Sequence, residues 1–118
     1  RVATPDATFA ETGVSLGLFG AWGGTARLPE VVGTGDALDL SLSGRTVDAE
    51  TALRMGLVQR VVGEPRSVAE EVAANDPAAL RTLKGLLRGE ADRGTQETRE
   101  REAFVERLSA RADDVADR

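Results

Sequence analysis

The chain has 118 residues, of which 41% are apolar and 30% charged, and its net charge is −5; these values are typical of one soluble globular domain. Cysteine and histidine are both absent, so proton transfer would have to use carboxylates, hydroxyls, backbone groups or water, and we expect no metal site. We expect no nucleic-acid partner because no basic face is present, and no membrane association because no apolar run reaches ~20 residues. The cytoplasm is therefore the default location.

The first nine residues predict a short extended segment and a turn. Val2, Ala7 and Phe9 are candidate core residues, and Pro5-Asp6 is a turn signal. A glycine-rich stretch follows, with four glycines within eight residues, namely Gly17, Gly20, Gly23 and Gly24. Because glycine allows positive φ and close approach to the backbone, this stretch predicts a tight loop that opens into a helix. The loop lies either beside a ligand or in a plain connection.

Two nucleotide-binding motifs are excluded for the glycine-rich stretch. A phosphate-binding P-loop requires lysine and then serine or threonine after its last glycine, whereas Gly24 is followed by Thr25 and Ala26. The dinucleotide fingerprint Gly-x-Gly-x-x-Gly occurs nowhere in the chain. The glycines must therefore serve another purpose.

Helical and extended patterns alternate after this stretch. Apolar spacing predicts a short helix that ends near Gly33 and a second short helix from Ala37 to Ser43. Asp48 is the predicted N-cap of a helix over 49–55, and Gly56 is its predicted stop. An apolar extended segment is expected within 57–62.

Three more helices are predicted towards the C-terminus. One covers 67–75, one begins at Asp76-Pro77, and the last is expected to be capped by Thr95, with an ion pair between Glu97 and Arg101. The last two helices carry a series of large apolar residues at helical spacing, namely Leu80, Leu83, Leu87, Phe104, Leu108 and Val115. We expect these faces to associate with another surface, since exposed apolar area is unfavourable in water.

Three blocks of the chain carry a family resemblance. Residues 9–28 match Phe-Gly-x-Pro-Glu-x-x-Leu-Gly-x-x-Pro-x-x-Gly-Gly-Thr-x-Arg-Leu at eight positions, without a gap. Residues 42–62 match Leu-Thr-Gly-x-x-Ile-x-Ala-x-Glu-Ala-x-x-x-Gly-Leu-Val-x-x-Val-Val, and residues 77–84 form a proline followed by a helix with a lysine. In this order the blocks resemble the enoyl-CoA hydratase/isomerase (crotonase) superfamily.

The resemblance implies an α/β fold class: the helix-rich C-terminal half of a crotonase-type (ClpP/crotonase) fold, with only short strands retained. Residues 1–118 would then be a partial crotonase-like domain. The family's preceding half carries most of the parallel strands, the Gly-Gly-Gly region, the oxyanion hole and the first catalytic glutamate. We therefore expect the chain to be a fragment that is inactive by itself.

The resemblance also implies a function for the parent protein: an acyl-CoA hydratase or isomerase that acts on a CoA thioester through an enolate-type intermediate. Coenzyme A is then part of the substrate, and no separate cofactor is expected. Family members trimerise through this region, which implies a homo-oligomer, either trimer or hexamer. A non-catalytic oligomerisation or interaction module is the alternative of a different class.

Position 13 departs from the family. The second catalytic glutamate of the hydratases corresponds to Gly13, which can neither accept nor deliver a proton. Thr12-Gly13 resembles the Thr-Gly of dihydroxynaphthoyl-CoA synthases, in which bicarbonate takes the place of the carboxylate. The Ser-Phe-Asp of those enzymes, however, corresponds to residues 18–20, Leu-Phe-Gly. The other candidate acid or base is Glu11, whose alternative is a solvent-facing carboxylate at the edge of a loop.

The same alignment marks candidate substrate-binding residues. They are Gly13, Leu16, Gly17, Trp22 and Gly23. For Trp22, the only tryptophan of the chain, two alternatives are open: it lines an acyl pocket, or it anchors the loop in the core.

Overall fold

A computed structural model describes the backbone of residues 1–116 and the side chains of residues 1–113. The chain divides into two compact units, Arg1–Ala69 and the part from Glu70 onwards. The elements of the first unit are β1 (Val2–Ala3), β2 (Thr8–Phe9), a 3-10 helix (Thr12–Leu16), α1 (Gly24–Ser43), β3 (Val47–Asp48), α2 (Ala49–Met55) and β4 (Arg60–Val61). Helix α3 (Pro65–Ala73) crosses the division, and the second unit contains α4 (Pro77–Arg88) and α5 (Arg93–Ala116).

The described strands are two residues long and form two separate pairs. β1 is parallel to β4, with Val2 opposite Arg60, and β2 is antiparallel to β3, with Phe9 opposite Val47. The turn predicted at Pro5-Asp6 lies between β1 and β2. The expectation of a helix-rich chain that retains only short strands is confirmed.

Helix α1 contains the break that was predicted at Gly33. The backbone of Gly33 has φ 82° and ψ 161°, a region accessible essentially to glycine alone. The helical conformation resumes at once, so that α1 runs from Gly24 to Ser43 with one kink. The second helical segment therefore begins earlier than the predicted Ala37.

Helix α2 begins and ends where its sequence signals lie. The Asp48 carboxylate accepts a hydrogen bond from the Thr51 backbone N–H at 2.8 Å, which lowers the pKa of Asp48. Gly56 ends the helix with φ 81°, a conformation that carries little cost without a Cβ atom. Both capping predictions are confirmed.

Two clusters of buried side chains form the core of the first unit. Their buried members are Ala3, Ala49, Ala52 and Val58 in one cluster, and Leu40, Val47 and Met55 in the other. Phe9 packs against both clusters. Of the predicted N-terminal core residues, Ala7 and Phe9 are partly buried in these contacts, while the fully buried residue of that segment is Ala3.

Helices α4 and α5 of the second unit are joined at both ends. The Gln96 side-chain amide donates to the Leu86 carbonyl at 2.7 Å, and an Arg107 guanidinium nitrogen lies 3.0 Å from Asp76 Oδ1. The same Asp76 oxygen accepts the Ala79 N–H at 2.7 Å and thereby caps α4, as predicted. The hydrogen bond from Ala79 and the nearby charge of Arg107 lower the pKa of Asp76.

Two expectations for the C-terminal helices are corrected. Asp92, not Thr95, caps α5: its carboxylate accepts the Thr95 backbone N–H at 3.1 Å, and Asp92 is one turn closer to the helix start. Glu97 pairs with Arg93 at 3.0 Å instead of with Arg101. Both arginines lie four residues from Glu97, so the spacing alone could not distinguish them. Helix α3 also begins two residues earlier than predicted.

Most of the apolar residues predicted along α4 and α5 are exposed. Leu83, Leu87, Phe104 and Leu108 have more than half of their surface in contact with solvent, and Leu80 is half-buried. The side chain of Val115 lies outside the described residues. Whether these faces associate with another surface stays a prediction.

Candidate functional site

A groove of about 590 Å³ lies beside the glycine-rich stretch in the first unit. One wall is formed by residues between 11 and 20, and the other by residues of α1 between 24 and 42. Its volume is within the ~300–1,000 Å³ that is common for small-molecule sites. Most of the lining side chains are apolar.

The part of the α1 wall that follows Gly33 is one helix face. Thr34, Leu38 and Leu42 recur every four residues, and Ala37 and Ser41 lie beside them. This spacing places side chains on the same side of a helix. This face begins directly after the break at Gly33, and residues between 24 and 29, in the helical segment before the break, complete the wall.

The opposite wall is held by backbone hydrogen bonds. The Leu18 N–H donates to the Gly13 carbonyl at 2.9 Å, and Gly17, with φ 71°, ends the 3-10 helix. A Cβ atom at position 13 would lie 3.1 Å from the Leu18 carbonyl oxygen. The loop has therefore closed over the space from which a side chain of residue 13 would emerge.

The 3-10 helix rests on the C-terminal end of α1. Gly44, with φ 62°, ends α1, and a Cβ atom there would lie 2.9 Å from Val14 Cγ1 and 3.4 Å from the Glu11 carbonyl oxygen. The next residue, Arg45, pairs with Asp39 at 2.7 Å. The hydrogen bond from Arg45 to the Asp39 carboxylate raises the pKa of Arg45.

Glu11 is the one ionisable residue among the described residues that line the groove. It directly precedes the 3-10 helix and is exposed. A carboxylate at this place could exchange a proton with a ligand in the groove and with bulk water. Both earlier interpretations of Glu11 therefore describe part of its position: it lies at the edge of a loop and lines the groove.

Only some of the other candidate site residues line the groove. Gly13 and Gly17 line the groove, whereas Leu16, Trp22 and Gly23 are not among its lining residues. Leu16 is 77% exposed and Trp22 88% exposed, so the interpretation of Trp22 as a core anchor is wrong. The substrate-binding role proposed for these five residues stays a prediction.

The arginine beside Trp22 stabilises the loop backbone. Arg27 donates a hydrogen bond to the Trp22 carbonyl oxygen and folds over Gly23, the N-cap of α1. A Cβ atom at Gly23, whose φ is 87°, would lie 2.8 Å from an Arg27 guanidinium nitrogen. The positive φ therefore favours glycine at position 23, whereas the contact with the Arg27 guanidinium could be relieved by a movement of that side chain.

Sequence reasoning missed six large apolar residues of the groove. They are Val14, Leu18, Phe19, Leu28, Leu38 and Leu42. Leu38 and Leu42 were interpreted together with Ala37 and Leu40 as evidence for a helix, and only Ala37 and Leu40 are buried. The four-residue spacing from Thr34 to Leu42 was the signal that could have separated the groove face from the core face.

Among the side chains of residues 1–113, no group of three or more carboxylates is placed to hold a metal ion. Nor does that part of the chain contain a helix with the length and apolar character required to cross a bilayer.

The sequence model of one family, enoyl-CoA hydratase/isomerase, matches residues 1–115. The chain belongs to the enoyl-CoA hydratase/isomerase family. This confirms the resemblance read from the three sequence blocks. The helix-rich architecture with short strands is likewise that of crotonase-fold structures.

Individual members of the enoyl-CoA hydratase/isomerase family show the extent of the similarity. The chain is 36% identical over 118 aligned residues to the short-chain-enoyl-CoA hydratase of Clostridium acetobutylicum, in an alignment that covers 92% of this chain and 45% of that protein. The structure of Pseudomonas aeruginosa DspI is 42% identical, with a TM-score of 0.82, and the match covers 93% of this chain and 48% of that one. A Thermobifida fusca protein assigned as an enoyl-CoA hydratase and solved with CoA is 33% identical, with a TM-score of 0.83 and coverages of 96% and 47%.

The chain thus spans about half the length of the relatives that it matches. The activity, substrate and assembly of such proteins are properties of the complete family fold, of which this chain covers about half.

Proposed function

We propose that this chain supplies the acyl-binding groove and one acid–base group of an enzyme that acts on acyl-CoA thioesters by hydration or isomerisation. The observation that carries the proposal is the groove itself, an apolar cleft with the single carboxylate of Glu11 at its edge. Membership of the enoyl-CoA hydratase/isomerase family supports a CoA thioester as the substrate. The Thermobifida relative solved with CoA supports the same substrate class.

The proposed chemistry requires an enolate and a proton donor or acceptor. Hydration adds a hydroxyl group from water to the β-carbon of an enoyl thioester and a proton to the α-carbon, with the negative charge held meanwhile on the thioester oxygen. By resemblance, the oxyanion hole that would hold this charge lies in the half of the fold that the matching alignment does not cover. For this reason we propose that the 118-residue chain alone is inactive.

Within this proposal, Glu11 replaces the carboxylate that is absent at position 13. The two positions lie on the same wall of the groove, two residues apart. Bicarbonate, bound where the side chain of residue 13 would be, is the alternative. The Cβ position of residue 13 is crowded by the Leu18 carbonyl oxygen at 3.1 Å, and this crowding supports Glu11 as the acid–base group.

The test uses a chimera in which the part of the C. acetobutylicum hydratase not covered by the match is fused to this chain. The chimera should hydrate an enoyl-CoA thioester, followed as loss of the ultraviolet absorbance of the conjugated thioester, whereas the 118-residue chain should not. Glu11→Gln in the chimera should lower kcat by about 10²–10⁴-fold. Glu30→Gln is the matched control, because Glu30 is an exposed glutamate of α1 that does not line the groove.

Added bicarbonate separates the two acid–base candidates. If Glu11 acts, activity is the same in carbonate-free buffer and with bicarbonate. Activity that rises with bicarbonate, and that loses this dependence in Gly13→Glu, would favour the bicarbonate alternative. Turnover by the unfused chain would contradict the expectation that it is inactive.

A second candidate function rests on the exposed apolar residues of α4 and α5. Leu83, Leu87, Phe104 and Leu108 are each more than half exposed, which favours an interaction module or a trimeric or hexameric assembly. Sedimentation velocity of the chain, with Leu87→Asp and Phe104→Asp as variants, tests this. A monomer at all concentrations would remove this candidate.

The cytoplasmic location also stays a prediction.

A further inference from the structure

Helices α4 and α5 of the second unit have a polar side and an apolar side. A cleft of about 440 Å³ between the two helices is lined by charged residues of both, such as Arg81 and Glu102. None of Leu83, Leu87 and Phe104, each more than half exposed, lines this cleft. The exposed apolar residues therefore lie on another side of the helix pair.

Two rows of side chains run beside each other along α4. Leu80, Leu83 and Leu87 follow the spacing i, i+3, i+7, which places them on one helix face. Each of these leucines is followed directly by a cation, namely Arg81, Lys84 and Arg88. The cations therefore form a second row about 100° further round the helix. Helix α4 contains no acidic residue.

The cations of α4 are available to a partner. Arg81, Lys84 and Arg88 are exposed, and among the described residues none of the three takes part in a hydrogen bond or ion pair. Arg81 shares the cleft with Glu102 and Glu106, which partly balance its charge. Lys84 and Arg88 do not line the cleft, so their charges accompany the leucine row.

Helix α5 contributes to the apolar side with the same spacing. Arg101, Phe104 and Leu108 lie at i, i+3 and i+7, and all three are exposed. Of the acids on this part of α5, Glu97 already has an ion pair, and Glu100 balances one cation. A net positive charge therefore remains beside the apolar residues of the two helices.

This combination of leucines and cations indicates which partner fits the surface. A helix that lies in a membrane interface carries Lys and Arg beside a row of Leu or Phe, and it does not need the length of a spanning helix. Although the chain as a whole carries −5, charges further away than about 8 Å are largely screened at physiological salt, so the local cations dominate. A second copy bound face to face across a two-fold axis would instead bring the same cations together.

We infer that α4, together with Phe104 and Leu108 of α5, is a surface that binds an anionic lipid bilayer peripherally. The leucines enter the boundary between headgroups and acyl chains, where their apolar area leaves water. Lys84 and Arg88 extend from the edge of the leucine row to the lipid phosphates. This inference goes beyond the proposed function and does not depend on it.

The experiment measures co-sedimentation of the 118-residue chain with vesicles. One set of vesicles is an equimolar mixture of phosphatidylcholine and phosphatidylglycerol, and the other is phosphatidylcholine alone. We expect binding to the anionic vesicles, much weaker binding to the neutral ones, and loss of binding as salt shortens the screening length from about 10 Å at 0.1 M to about 3 Å at 1 M.

Single substitutions separate the two contributions. Lys84→Gln and Arg88→Gln should each weaken binding to anionic vesicles by about fivefold, and Lys84→Arg should restore it. Leu87→Asp should weaken binding to both kinds of vesicle by at least about tenfold. Arg99→Gln is the matched control, because Arg99 is an exposed cation of the same helix pair that lines the cleft; it should bind as the unchanged chain does. Circular dichroism checks that all variants are folded.

A tryptophan probe locates the contact. In a chain with Trp22, the only tryptophan, replaced by phenylalanine, Leu87→Trp should show emission that shifts to the blue on anionic vesicles and is quenched by brominated lipid. Arg99→Trp in the same background places the probe on the cleft side and should show neither change.

Every other result overturns the inference. Equal binding to neutral and anionic vesicles, or binding that is unchanged in Lys84→Gln and Arg88→Gln, excludes an anionic bilayer as the specific partner. Absence of vesicle binding also overturns it: an assembly that Leu87→Asp abolishes would then assign the surface to a second copy. Binding of a helical peptide of leucine and glutamate, but not of vesicles, would assign it to an acidic protein partner. None of these results depends on whether the chimera hydrates thioesters.

Discussion

The segment around α2 and the glycine-rich stretch belong to the same unit but differ in how they are held. Between Val47 and Val58, small apolar side chains are buried, and both ends of the helix carry a cap. Between residues 14 and 24 every residue is exposed, and the described contacts that fix the loop are largely backbone hydrogen bonds and glycine conformations. The buried core and the exposed wall of the groove are thus formed by different segments.

The difference explains why apolar side chains are exposed in the groove. Leu40 and Leu42 lie two residues apart on α1, and Leu40 is 3% exposed in the core whereas Leu42 is 71% exposed in the groove. Burial of a leucine stabilises a fold by about 1.5–3 kcal/mol. An exposed leucine forgoes this stabilisation and can gain it when a ligand or partner covers it.

The largest expected effect sharpens this contrast. Leu40→Ala should lower the free energy of unfolding by about 2–5 kcal/mol, because it leaves a cavity beside Val47 and Met55. Leu42→Ala makes the same chemical change and should alter stability by no more than about 0.5 kcal/mol. Urea denaturation followed by circular dichroism measures both.

Similar losses in the two variants would contradict the separation between core and groove. If Leu42→Ala lost acyl-CoA binding while its stability was retained, the separation between core and groove would also be a separation between stability and binding.

The second prediction concerns glycines with different constraints. Gly44→Ala should destabilise the chain by more than the ~1–2 kcal/mol of a left-handed residue, since its Cβ atom would also collide with Val14. Gly17→Ala should show the conformational cost alone, because no atom lies within 4 Å of its Cβ position. Gly35→Ala should be stabilising by ~0.5–1 kcal/mol, as expected for an unconstrained helical glycine.

Thermal unfolding of the three variants measures this: the midpoint should be lowest for Gly44→Ala, higher for Gly17→Ala and highest for Gly35→Ala. If Gly17→Ala proved as harmful as Gly44→Ala, contact between Gly44 and the 3-10 helix would not be what holds the groove wall.

The third and smallest prediction is the dependence on pH. The pKa values of Asp48, Asp76 and Asp92 are lowered, chiefly by hydrogen bonds from the residues that follow them. A lowered pKa in the folded state means that the stabilisation is present above the unfolded value of about 3.9 and is lost as pH falls through the folded value. Helicity should therefore be constant from neutral pH to about pH 5 and decrease below pH 4.

Asp48→Asn keeps an acceptor for the Thr51 N–H but cannot titrate. Its contribution to the acid transition should disappear while α2 still forms, which circular dichroism at pH 7 and pH 3 can show. An acid transition unchanged in Asp48→Asn would mean that other carboxylates control it.

Local signals explain what could be predicted from the sequence. Asp48 and Gly56 delimit α2 because a cap and a left-handed glycine act on the nearest turn of backbone. The break at Gly33 and the cap at Asp76 have the same local origin. At Asp92 and Thr95, two residues with capping side chains lie three positions apart, and residue type alone did not distinguish them.

The groove depended on contacts that are distant in sequence. Trp22 was expected to face a pocket or the core, but it is exposed, in a loop whose backbone is held by the hydrogen bond from Arg27 to the Trp22 carbonyl. The support of Val14 by Gly44 joins residues thirty positions apart. Glu11 could be chosen as a candidate by its residue type, whereas its place on the groove wall is known only from the structure.

Phe9 connects the two core clusters. Because one ring packs against both, a change of volume in either cluster is transmitted to the other, and substitutions near Ala52 and near Met55 should be thermodynamically coupled. The strand that carries Phe9 leads within two residues to Glu11. Under the role proposed for Glu11, a change of core packing around Phe9 would therefore also alter the position of the acid–base group.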